Sequence, residues 1–132
     1  MTADRARKLA PQMGERVELD LERVANLESI LGSDLPEILA SLGASMSARI
    51  AQAEEALADD RLADVTQAAH ACRNDALMVG AQPLLAALSE LEDASRGDRL
   101  EDAHAAMHRL REVWPETRSE LQRAVHSAVN GD

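Results

Sequence analysis

The chain has 132 residues, a formal net charge of −10, one cysteine, one tryptophan and no Phe or Tyr. That length suits one domain with a single core, and a core without Phe or Tyr must be built from Leu, Ile, Val, Met and Ala, which favours helix-on-helix packing over a sheet. The negative field argues against nucleic acid or an anionic membrane surface as a partner, a lone Cys72 excludes an intramolecular disulfide framework, and the lack of a long apolar run or signal-peptide core predicts a soluble, cytoplasmic protein.

Residues 1–17 mix charge with Pro11 and Gly14 without period and read as a flexible leader to a helical domain over 18–129. A short first helix follows, with Leu21, Val24, Leu27, Ile30 and Leu31 at helical spacing, stopping at Gly32. In "GSDLPEIL", Asp34 is a candidate cap with Glu37 three residues on, and Pro36 fits a first turn. The second helix then carries Leu35, Leu39, Leu42, Met46, Ile50, Ala53 and Leu57 on one face, and ends at "ADD", where Asp60 is a candidate cap for the next.

The third helix is expected from about Arg61 to Val79, on a seam of Leu62, Val65, Ala69, Cys72, Ala76 and Val79. Gly80 fits its structural stop, and Pro83 opens a fourth helix with Leu84, Leu88, Leu91 and Ala94 inward, ended by Gly97. "DRLE" at 98–101 resembles a capping box, with Asp98 as cap and Glu101 reaching back. The last helix carries Leu100, Ala103, Met107, Leu110 and Trp114, and keeps its phase past Pro115 through Leu121, Val125 and Ala128, which predicts one kinked helix or two abutting ones. The connections are short, so the fold class expected is all-α: an antiparallel up-down four-helix bundle with a short extra N-terminal helix.

Chemistry concentrates on the third helix. At about 100° per residue, with His70 at zero, the apolar seam centres near −130°, so His70 points to solvent. On the same spacing Arg73 falls at about −60° and Asn74 at about +40°, with Thr66 and Gln67 one turn before. An exposed neutral imidazole is a nitrogen nucleophile that needs no strong base, and Arg73 can give charge-assisted hydrogen bonds to a phosphoryl group held there.

The stretch "AHACRNDALMVGA" (69–81) resembles the signature of histidine-containing phosphotransfer (HPt) domains: His70, a basic residue three on (Arg73), small residues, then Gly80 and Ala81. The likeness continues through "LLAALSELEDASRGD" and reaches back to about residue 18. The resemblance implies a phosphorelay protein in two-component signalling. His70 would be the phosphoryl acceptor through Nε2, and Arg73 its positive neighbour. Thr66, Gln67, Asn74 and Leu77 would lie on the docking surface for a response-regulator receiver domain or a histidine kinase. It implies no cofactor and no metal on this chain, with Mg²⁺ held by the receiver, and no ATP-dependent kinase activity. The family usually has Gly four residues after the histidine and a small residue next; Asn74 and Asp75 stand there. Those two residues motivate an alternative, an HPt-shaped module that docks a receiver or kinase without carrying phosphate.

Other groups carry less. His104 and His108, four apart, have a zinc-compatible spacing, although a partner-facing helix edge explains them as well. Cys72 on the seam reads as a buried thiol, Trp114 as a core plug at the far end of the bundle, and His126 as a helix-end residue.

Overall fold

The computed structural model describes residues 21–130; the expected leader, residues 1–17, lies outside them. Its elements are α1 (Leu21–Leu31), a 3₁₀ turn (Gly32–Asp34), α2 (Leu35–Ala58), α3 (Leu62–Val79), α4 (Gln82–Arg96) and α5 (Leu100–Asn130). Helices α2 to α5 form a closed ring in which α2 packs on α3, α3 on α4, α4 on α5 and α5 back on α2. Links of two or three residues force each to run antiparallel to the one before.

The expected seams make the core. Leu39, Met46, Leu57, Val65, Cys72, Val79, Leu84, Leu88, Leu91, Met107 and Leu110 are fully buried, and Trp114 joins them. α1 lays Val24, Leu27 and Leu31 against that core, while Ile30 is exposed. From α1, Arg23 Nη1 donates to the Leu77 carbonyl at 2.9 Å, which ties the short helix to the end of α3. α5 runs through Pro115 without interruption, as one helix. The proline has no N–H for the carbonyl of Arg111. Among the described residues, no helix is long and apolar enough to cross a membrane.

The three links share one local design. After α2, the Arg61 N–H reaches the Ala56 carbonyl at 2.8 Å and the Asp60 N–H reaches Leu57 at 3.1 Å, with Asp60 left-handed at φ 57°. After α4, Arg99 reaches Ala94 at 2.9 Å and Asp98 reaches Ser95 at 3.2 Å, with Asp98 also at φ 57°. After α3, Ala81 reaches Ala76 and Gly80 reaches Leu77, with Gly80 at φ 64°. Each is a Schellman closure that satisfies the last carbonyls of a helix.

These closures correct the expected caps. Asp60 and Asp98 are consumed as left-handed residues that end α2 and α4, so the N-cap places pass to Arg61 and Arg99, whose carbonyls receive the N–H groups of Val65 and Ala103. Asp34 precedes α2 in a helical conformation, φ −82° and ψ −10°, and makes no side-chain cap bond. The 3₁₀ turn supplies the preceding backbone bonds instead, including Leu35 N–H to the Gly32 carbonyl.

Candidate functional site

His70 lies midway along α3, on the side facing α4, and its side chain is 53% exposed. Its Nδ1 is 3.1 Å from Oε2 of Glu92 on α4, a carboxylate only 3% exposed. An ionised carboxylate can only accept, so Nδ1 carries a proton, and in the neutral ring this contact selects the tautomer with the lone pair on Nε2. Among the described residues Nε2 has no hydrogen-bond partner.

Glu92 is the hub of the site. Arg96, one turn on in the last turn of α4, donates to the same Oε2 and is 61% exposed. Arg73 of α3 brings Nη1 to 3.5 Å from Oε1, within ion-pair range but not aligned as a hydrogen bond. Arg73 Nε is buried without a hydrogen-bond partner, as is Glu92 Oε1. Burial pushes the Glu92 carboxyl up, but the bonds from His70 and Arg96 and the charge of Arg73 outweigh it and hold the group below its ordinary value. Arg96 Nη1 also lies 3.8 Å from Asp93 Oδ1, so two guanidiniums offset two carboxylates beside His70, in a chain of net charge −10.

A second contact fixes the distance between α3 and α4 beside the histidine. Thr66 Oγ1 lies 2.7 Å from Ser95 Oγ, and each hydroxyl also reaches a carbonyl of its own helix, Leu62 at 3.0 Å and Leu91 at 2.8 Å. Thr66 is therefore half-buried and tied to α4, while Gln67, Asn74 and Leu77 are exposed around His70. Met78 is exposed next to Leu77. Asp75 is turned to α2, where Ser45 Oγ donates to its Oδ2 at 2.7 Å. Gly80 sits in the α3–α4 link, where only a left-handed residue closes the turn.

Cys72 is buried, its Sγ 3.9 Å from the Met46 carbonyl, and burial together with the Asp75 charge pushes the thiol up to about 12. His104 is exposed, and His108 Nε2 lies 3.1 Å from Glu112 Oε1. Among the described residues no group of three or more His, Cys, Asp and Glu side chains is arranged to hold a metal ion.

The sequence pairs His70 with Arg73 but misses Glu92 and Arg96. The missed signal is spacing: Leu85, Leu88, Glu92 and Ser95 form one inward flank of α4, so Glu92 is an acid at a buried position that demands a partner.

No family model matches the chain, and no curated protein matches it. Among solved structures, it is similar to the crystal structure of histidine-containing phosphotransfer protein B (HptB) from Pseudomonas aeruginosa PAO1, with a TM-score of 0.79 and 20% sequence identity over 83% of this chain and 95% of that one. At that identity the likeness shows the fold: this chain has the HPt fold.

Proposed function

We propose that the chain is a phosphoryl carrier of a two-component relay, with His70 Nε2 as the acceptor and an aspartate on a response-regulator receiver domain as the group it exchanges with. The observation that carries this reading is the half-exposed His70 ring, whose Nδ1 is bound by buried Glu92, a contact that in the neutral ring selects the tautomer with the lone pair on Nε2. The HPt fold supports it. Nucleophilic attack on phosphorus needs that lone pair and nearby positive charge to accept the phosphoryl oxygens, and Arg73 and Arg96 stand beside the ring.

In this reading Gln67, Asn74 and Leu77 meet the receiver, with Thr66 at the rim where it also braces α4. Asn74 replaces open space with an amide able to donate to a phosphoryl oxygen. Asp75 adds little repulsion because Ser45 holds it toward α2. The receiver supplies Mg²⁺, this chain holds none, and a histidine kinase is a further partner. In this reading the phosphoryl group comes from a partner protein and not from ATP bound by this chain, and the relay takes place in the cytoplasm.

Phosphotransfer from a panel of labelled receiver domains to the purified protein, with His70→Gln in parallel, tests this. Label that appears on the wild type, is acid-labile and base-stable, and is absent from His70→Gln supports the carrier. Tight receiver binding without label favours the docking module that Asn74 and Asp75 motivate.

A further inference from the structure

We infer that Glu92 makes His70 competent to take a phosphoryl group from a small phosphoramidate with no partner protein present. This rests on His70 being the carrier, and goes beyond it by placing part of the catalysis on this chain and not only on the receiver.

When Nε2 attacks the phosphorus of phosphoramidate, the Nε2–P bond forms and the P–N bond breaks. Ammonia departs with that electron pair, from a donor whose nitrogen is already fully protonated. The ring keeps its Nδ1 proton throughout, so it becomes a phosphoimidazolium. Positive charge thus grows on the imidazole as the reaction proceeds. The group facing that charge is the Glu92 carboxylate, 3.1 Å from Nδ1 and nearly excluded from water, where a fixed charge acts most strongly. The interaction is stronger in the transition state than in the free ring, which is the condition for catalysis.

The other charges fit the incoming group. Arg96 shares Oε2 with His70 and is largely exposed, so it can swing toward phosphoryl oxygens without leaving the site. Arg73 holds Glu92 only at ion-pair range and has an unpartnered Nε, so little is lost when it turns to the phosphoryl group. The same geometry acts on the product. A phosphoimidazolium held protonated by Glu92 leaves as a neutral imidazole when the phosphoryl group moves on, so Glu92 speeds donation as well as acceptance. Glu92 is a positioning residue in this account, acting through the ring.

The test incubates the full chain with potassium phosphoramidate and follows the fraction phosphorylated at His70 by ¹H–³¹P NMR, for the wild type, Glu92→Gln, Glu92→Ala and Arg96→Gln, with His70→Gln giving the label taken by the other three histidines. Ring-nitrogen NMR reports the His70 tautomer in each variant before phosphorylation. The Gln variant keeps an acceptor for Nδ1–H but loses the charge. It should retain the tautomer while accepting on the order of tenfold more slowly, and its phosphohistidine should last longer by a similar factor. The Ala variant should lose the tautomer preference as well, and Arg96→Gln, on an exposed side chain, should slow acceptance with the tautomer intact. Two results overturn the inference: a wild type that takes label from a receiver but none from phosphoramidate, or Gln and wild-type rates that match. The first leaves His70 as the carrier; no label from either source removes both readings.

Discussion

At the scale of single residues, the site depends on a buried acid. Glu92 has its folded-state pKa held below the ordinary carboxylate value by His70, Arg96 and Arg73 against the opposing effect of burial. A depressed carboxylate contributes stability that is fully present above the unfolded-state pKa and is lost as pH falls through the folded one. The melting temperature should therefore fall on acidification through and below the ordinary carboxylate range, and Glu92→Gln should flatten that part of the curve; parallel slopes for the two proteins would contradict it. Cys72 gives a second check. With the thiol buried and raised to about 12, a thiol reagent near neutral pH should leave the native protein unmodified and react only once denaturant opens the core. His70 and Arg73 were legible because one helix and one period relate them. Glu92 and Arg96 were not, because their meeting with His70 depends on the rotation of α4 against α3, which local spacing does not report.

At the scale of elements, the five helices and their inward faces follow from steps of three and four apolar residues, and the breaks fall where Gly32, the "ADD" segment, Gly80 and Gly97 interrupt them. The caps do not follow. An aspartate before an apolar run signals a helix start, yet in a three-residue link the same aspartate must first close the preceding helix. Asp60 and Asp98 do so at φ 57°, where a side chain costs about 1 kcal/mol and glycine does not. Asp60→Gly and Asp98→Gly should each raise the unfolding free energy by about 0.5–1 kcal/mol in urea titration, part of the gain being offset by the freer unfolded chain. An aspartate capping the next helix would instead lose a few tenths of a kcal/mol on that change and about 1 kcal/mol on replacement by Ala. Pro115 belongs to the same class. α5 continues through it with the Arg111 carbonyl lacking its usual N–H partner, so Pro115→Ala should stabilise the helix and leave its length unchanged by circular dichroism.

At the scale of the whole molecule, the bundle turns one helix face into a surface that presents a single imidazole. Its core is one contiguous cluster running through all four long helices, so unfolding should be a single transition and Leu88→Ala, at a fully buried position, should cost about 2–5 kcal/mol by denaturant titration. Around that core the chain is strongly acidic, whereas beside His70 the guanidiniums of Arg73 and Arg96 offset the carboxylates of Glu92 and Asp93. The proposed function turns on which nitrogen of His70 accepts a phosphoryl group. A ¹H–³¹P correlation spectrum of the phosphorylated protein decides it directly. Phosphorus on Nε2 couples through three bonds to both ring protons, Hε1 and Hδ2, whereas phosphorus on Nδ1 couples in that way to Hε1 alone. The account predicts both cross-peaks on His70. A single cross-peak to Hε1, or phosphorus on another histidine, would contradict it.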